Sequence, residues 1–378
     1  MTHLRYAGPA LVAYAAVRAL GLLVLDVWAR AAGHDAHHIL VGWDGQWYKG
    51  IAQNGYGFTR IHPDGRHLSD FAFFPLFPWL ERWVSGATGL GAADAGLLIS
   101  AIASLLAAWG MFLVADRIYG RRAGMAVTVV WAALPIGIVQ SMAYTESLFT
   151  ALAAWSLYAV LTGRWVSAGV LAALAGLTRP VGVAIIAAVM IPAAVSLLRT
   201  WRQCTSRGAA RRQSPAWRVL VGACVAPLGW LGYVGWVGAR TGSVLGYFDV
   251  TDAWGNGFDG GAAFFGWVWE LLAGPRLGAG LLLCIGLALL ACLVSWSIRQ
   301  RQPLSLIVYS VVLVFLAFTT SGYFGSKPRY LLPAFPLLLP IAVVLGRMRL
   351  ERVAAILVPL GVGSACYGAF WLNGAGPP

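Results

Sequence analysis

The sequence predicts an all-α polytopic membrane protein, and three observations carry that expectation. Of 378 residues, 59% are hydrophobic and 11% charged. The mean hydropathy is +0.73. Apolar stretches recur along the whole chain, many of them near the roughly 20 residues that a helix needs to cross a bilayer. A soluble domain averages about 45–50% apolar and about 25% charged residues, so this chain has too little polar surface to be one. A cytoplasmic enzyme, a disulfide-rich secreted domain and a disordered tail are thereby excluded. A single polytopic domain over 1–378 is expected.

Taken in order, the apolar segments fall at 7–29, 91–115, 123–140, 147–162, 165–178, 180–198, 219–238, 276–298, 304–320, 330–346 and 353–372, about eleven spans. With the N-terminus inside, Arg5, Arg117, Arg121, Arg122, Arg164, the run from Arg199 to Arg218, Arg299, Arg301, Arg347, Arg349 and Arg352 all face the cytoplasm. Only Asp116 and Glu351 oppose them there. That asymmetry is the positive-inside bias, and it accounts for the net charge of +13 without a nucleic-acid partner. The opposite orientation would translocate the basic loop 199–218, which holds six arginines.

The first apolar run ends at Ala29-Arg30-Ala31, which has the look of a signal-peptidase site. It is too long and carries Arg18 in its middle, so it reads as an uncleaved helix, with Arg18 structural: either tucked against Asp26 through water or snorkelling inward. Thr178-Arg179-Pro180 joins two spans too tightly for a solvated loop, and with Arg164 and Arg199 both cytoplasmic, this hairpin carries Arg179 toward the outer leaflet. A cation there is costly unless paired or solvated. Two external segments, 30–90 and 239–275, are long and aromatic, and each is expected to hold interfacial helices. The tail NGAGPP is expected to fray. Cys204, Cys224, Cys284, Cys292 and Cys366 show no CxxC spacing, so neither a disulfide nor a zinc-thiolate site is expected.

The densest polar stretch runs from His34 to Gly50. If 43–53 is helical, Trp43 and Trp47 share one face while Asp44 and Tyr48 share a neighbouring one. Asp44 is then either a general base for an acceptor hydroxyl or a solvated interfacial aspartate. In Ser69–Trp79, Pro75 and Pro78 forbid a regular helix; Phe73, Phe74 and Phe77 either hold a polyprenyl chain or sugar ring, or form part of an aromatic belt. Glu146 opens a helix after Tyr144, as a cap or as a partner for Arg179 or substrate. Arg179, Lys327 and Arg329 bring cations to the same outer surface, where an arginine fork suits a departing phosphate and headgroup snorkelling is the alternative for Lys327 and Arg329. Tyr48, Asp70, Tyr144 and Glu146 are candidates for sugar or acceptor contacts. His34, Asp35 and His38 have the spacing of a divalent-metal cluster, but no second ligand group supports them, so no metal or other cofactor is expected.

Together the motifs resemble the PIG-V family of membrane mannosyltransferases. The matching pieces are Trp43-Asp44-Gly45-Gln46-Trp47-Tyr48 with Gly55-Tyr56, then Phe73-Phe74-Pro75-Leu76-Phe77-Pro78, Tyr144-Thr145-Glu146-Ser147-Leu148-Phe149, Leu177-Thr178-Arg179-Pro180-Val181-Gly182 and Lys327-Pro328-Arg329-Tyr330, in family order. The resemblance implies a GT-C fold in the cell membrane, with an extracytoplasmic site, a polyprenyl-phosphate mannose donor and inversion at the sugar. It further implies that Asp44 is the base and that Arg179 and Arg329 bind the carrier phosphate. The compact size and the arginine-rich loop point to a bacterial enzyme, so the acceptor, whether glycolipid, glycan or protein, stays open. The competing class is a transporter or flippase, which would more often show inverted repeats and polar groups at the midplane.

Overall fold

The computed structural model describes residues 2–205, 215–322 and 324–374. Residues 206–214 of the basic loop expected over 199–218, the end of the glycine- and proline-rich tail and the side chain of Cys204 lie outside the described residues. Cys224, Cys284, Cys292 and Cys366 are free thiols.

The chain opens with α1 (Thr2–Ala31), followed by the short α2 (Ala36–Leu40) and by α3 (Asp44–Asn54). An antiparallel hairpin comes next, β1 (Thr59–Ile61) paired with β2 (His67–Ser69) in the register Arg60 to Leu68. With an isolated antiparallel bridge between Phe258 and Thr320, it is a departure from the all-α expectation. Then follow α4 (Leu76–Thr88), α5 (Ala92–Tyr119), α6 (Arg121–Ala132), α7 (Thr145–Leu161), α8 (Trp165–Gly176) and α9 (Val183–Thr205). The second half contributes α10 (Ala216–Val225), α11 (Leu228–Thr241), α12 (Gly246–Ala253), α13 (Ala262–Ala273), α14 (Leu277–Arg299), α15 (Leu304–Thr319), α16 (Lys327–Leu331), α17 (Leu339–Arg347) and α18 (Leu350–Leu372).

Six stretches are long and apolar enough to cross a membrane: Tyr6–Ala31, Ala92–Tyr119, Pro180–Arg202, Ala216–Thr241, Leu277–Arg299 and Leu350–Leu372. The remaining expected spans take other forms. Thr145–Leu161, Trp165–Gly176 and Leu304–Thr319 are shorter apolar helices, and 330–346 belongs to a helix pair bent by 75°. The segment 123–140 breaks after Ala132, because Pro135 has no N–H with which to continue the ladder.

That break leaves carbonyls with no partner in the helix, and they are met from three directions. Arg18 of α1 donates to the Ala132 carbonyl. Gln140 Nε2 donates to Trp131 O at 2.9 Å, and Ser364 Oγ of α18 to Leu134 O at 2.6 Å. Of the two alternatives for Arg18, no direct pair with Asp26 forms: Asp26 pairs with Arg30 one turn away at 2.9 Å. Arg18 instead turns inward and is buried.

The core lies where α5 packs between α6 and α7, with Trp131, Phe149 and Tyr14 fully buried. Beside it α8 packs against α10 and α11 through small residues. A Cβ added to Gly169 would collide with the Gly222 backbone, and one added to Gly222 with the Trp165 carbonyl. Backbones can approach this closely only where neither helix carries a side chain, which is how helices associate in lipid without a hydrophobic driving force.

Candidate active site

Four charged side chains converge at one end of the bundle. Asp44 is the first residue of α3, Glu146 lies in the first turn of α7, Arg179 stands in the α8–α9 turn and Arg329 is in α16. The local sequence explains each placement. Arg179 precedes Pro180, which disfavours helical backbone at the residue before it, and its φ and ψ are extended at −156° and 154°. Glu146 sits where a helix N-terminus favours negative charge, and Pro328 at the start of α16 needs no N–H partner.

The groups form a continuous ionic chain. Arg329 Nη2 donates to Asp44 Oδ2 at 2.6 Å, and Arg329 Nε lies 2.8 Å from Glu146 Oε1. The same Oε1 is 2.5 Å from Arg179 Nη1. Glu146 is 1% exposed and both arginines are below 10%, whereas 29% of the Asp44 side chain remains open. The Tyr144 ring lies 5.0 Å from the Arg329 guanidinium, and the Tyr330 ring lies 5.8 Å from that of Arg179. Buried charges at this depth persist only when paired, and here two cations meet two carboxylates. An aspartate with one open side, backed by arginines, can accept a proton and hold a phosphate together.

Other residues singled out from the sequence surround this chain or stand apart from it. Tyr144 Oη accepts the Asp44 backbone N–H at 3.3 Å, and Tyr48 Oη lies 3.3 Å from Thr145 Oγ1, so both frame the Asp44 helix. Burial and the Asp44 carboxylate push the Tyr48 phenol well above its ordinary range. Asp70 is buried and accepts the N–H groups of Gly57 at 3.0 Å and Phe58 at 2.9 Å. Burial raises its pKa against these hydrogen bonds. The Lys327 ammonium turns back onto the carbonyls of Thr320 and Ser321 at the end of α15. Phe73 stacks on Trp47 at 5.4 Å, Phe77 meets the edge of Tyr48 at 5.2 Å, and Phe74 packs against Tyr233 at 4.5 Å. His37 faces Asp94 at 2.7 Å and His34 faces Asn373 at 3.1 Å, so the histidines diverge. Among the described residues no group of three His, Cys, Asp or Glu is spaced to hold a metal ion.

Two local expectations are corrected. Trp43 is not on the α3 face with Trp47: the helix begins at Asp44, and Trp43 takes φ 51°, ψ −118°, a conformation that an L side chain adopts only under constraint. The prolines bar a regular helix only as far as Pro75, since α4 begins at Leu76. Pro75 caps α4 and Pro78 sits in its first turn, where a missing N–H costs nothing. The irregular backbone before α4 is held by side chains. Tyr233 Oη donates to the carbonyls of Phe71 and Phe73, Tyr56 Oη to Phe73 and Trp254 Nε1 to Ser69, at 2.7–2.9 Å.

Sequence reasoning missed Glu81. It is fully buried between α4 and α5 against Gly96, neither carboxyl oxygen has a hydrogen-bond partner, and burial pushes its pKa up to about 9. The signal was present, since Phe77 and Glu81 stand four residues apart on the buried stripe of an amphipathic helix.

The helical bundle that carries this cluster has a fold shared with solved membrane-protein structures. The chain aligns with ArnT from Cupriavidus metallidurans bound to undecaprenyl phosphate at a TM-score of 0.55 and 17% identity, covering 93% of this chain and 62% of ArnT. The apo form of that protein gives 0.53 at 19% identity. The archaeal oligosaccharyltransferase AglB from Archaeoglobus fulgidus, in complex with an inhibitory peptide and a dolichol-phosphate, gives 0.50 at 13% identity, over 97% of this chain and 56% of AglB. The chain thus spans less than two thirds of either relative. In sequence, residues 70–224 match the family model of dolichyl-phosphate-mannose-protein mannosyltransferase. That stretch carries Asp70, Glu146 and Arg179 and stops short of Asp44 and Arg329 on either side. No curated protein matches the chain.

Proposed function

We propose that the protein is a glycosyltransferase that moves mannose from polyprenyl-phosphate mannose to an acceptor on the extracytoplasmic face of the cell membrane, as a bacterial relative of the PIG-V enzymes. The observation that carries this reading is the meeting of Asp44, Arg329, Glu146 and Arg179 at one end of a GT-C bundle. In the reaction the acceptor oxygen attacks the anomeric carbon as its bond to the carrier phosphate breaks. Asp44 takes the acceptor proton, and the carrier leaves as a polyprenyl monophosphate whose added charge faces Arg329 and Arg179. Inversion follows from a single direct displacement by the acceptor oxygen, with one carboxylate acting only as its base. The matches to ArnT and to the dolichyl-phosphate-mannose family model support the lipid-phosphate donor class, and the ordered motifs support mannose. The proposed topology has about eleven crossings, several of them short or bent, with α3, the N-terminus of α7 and the turn bearing Arg179 outside; the positive-inside bias of the arginines supports it.

The test is transfer of radiolabel from polyprenyl-phosphate mannose by protein in nanodiscs supplied with a cell-envelope lipid extract. Wild type is expected to transfer sugar, and folded Asp44→Asn to lose about 10²–10⁴-fold. Equal transfer by both would remove Asp44 from the chemistry.

A further inference from the structure

We propose that Glu146 is a resident counter-anion that competes with the carrier phosphate for Arg179 and Arg329, and so sets how readily the spent polyprenyl phosphate leaves. The inference rests on the carrier-phosphate reading above and deepens it. A single oxygen, Glu146 Oε1, stands 2.5 Å from Arg179 and 2.8 Å from Arg329. It is thus placed between the two guanidiniums, where an anionic ligand of both would also lie. The cluster already balances, with Asp44 and Glu146 against two arginines. Without Glu146, two buried guanidiniums would face one carboxylate. The departing carrier gains a negative charge when the bond from the anomeric carbon to the phosphate oxygen breaks, so an uncompensated arginine pair would hold the product more tightly than the substrate. A rigid opposing carboxylate weakens both complexes and keeps the second from becoming a trap. The same logic separates Glu146 from Asp44, which touches one arginine and keeps an open side toward the acceptor.

The alternative is that Glu146 only positions the arginines. The two roles give opposite signs. If Glu146 competes, Glu146→Gln binds undecaprenyl phosphate about tenfold or more tightly than wild type, because removing a carboxylate beside a buried cation strengthens its hold on another anion. Turnover then falls together with the KM for the donor, and inhibition by added undecaprenyl phosphate deepens. If Glu146 only positions, the same variant binds undecaprenyl phosphate more weakly and its KM rises. Should Glu146→Gln fail to fold, Glu146→Asp keeps the charge but draws it back by one methylene, and is expected to bind the lipid phosphate with intermediate tightening. Binding unchanged or weakened in the folded variants overturns the proposal while leaving the glycosyltransferase reading intact. Absence of undecaprenyl phosphate binding by wild type and variants alike overturns the carrier-phosphate reading, and the proposal with it.

Discussion

At the residue scale the site depends on the shape of its cations as well as on their charge. Arg329 reaches Asp44 through Nη2 and Glu146 through Nε, two nitrogens fixed in one plane. A lysine at that position keeps the charge but lacks the planar fork that meets the two carboxylates from separate nitrogens. Arg329→Lys is therefore expected to lower kcat/KM for the donor by about 10–100-fold, roughly 1.4–2.8 kcal/mol of transition-state stabilisation, as read by initial-rate kinetics. Lys327, two residues earlier, already occupies the carbonyls of Thr320 and Ser321. Sequence alone treats these neighbouring cations alike, and what separates them is the direction in which a five-residue helix points each side chain.

At the element scale the helices were legible from apolar runs, and the breaks within them less so. The stretch 123–140 reads as one span, yet Pro135 ends its helix, and the freed carbonyls are met by Arg18 and Ser364, from segments more than a hundred residues away. A linear reading of hydrophobicity does not encode such partners. The motif segments around Asp44, Glu146, Arg179 and Arg329 were each visible in the sequence, but the shared Oε1 is a product of tertiary packing. Glu81 shows the opposite failure, a carboxyl on an apolar stripe that belongs to none of the motif segments. Its raised pKa, about 9, has a definite sign. The folded state binds a proton that the unfolded chain releases above its ordinary carboxyl range, so this carboxyl costs stability increasingly as pH rises toward 9. Glu81→Gln is expected to melt a few degrees higher than wild type at pH 8, with the gap closing below pH 4, measured by thermal unfolding in detergent micelles.

At the scale of the whole molecule, orientation follows from where the arginines lie rather than from any one contact. On the proposed topology, which rests on the charge asymmetry of the sequence, the hairpin of β1 and β2 lies outside, on the same side as Asp44. Thr59 on that hairpin is exposed. A cysteine introduced there in a cysteine-free background is expected to react with a membrane-impermeant maleimide in intact cells, and protection until lysis would invert the topology. The fold class and the membrane setting were available from composition, whereas the proportion of long, short and bent helices was not, because proline breaks and tertiary capping decide it.

The bond between Asp44 and Arg329 joins positions 285 residues apart. Chains emerge from the ribosome at about 5–20 residues per second, so roughly 14–57 s separate the synthesis of the aspartate from that of its arginine. Glu146 and Arg179 are made in the interval and can meet first. The order of assembly is thus built into the order of translation: half of the ionic chain closes early, and Asp44 waits for the last helices. A chain truncated before α16 would keep Glu146 paired with Arg179 and leave Asp44 with no arginine beside it.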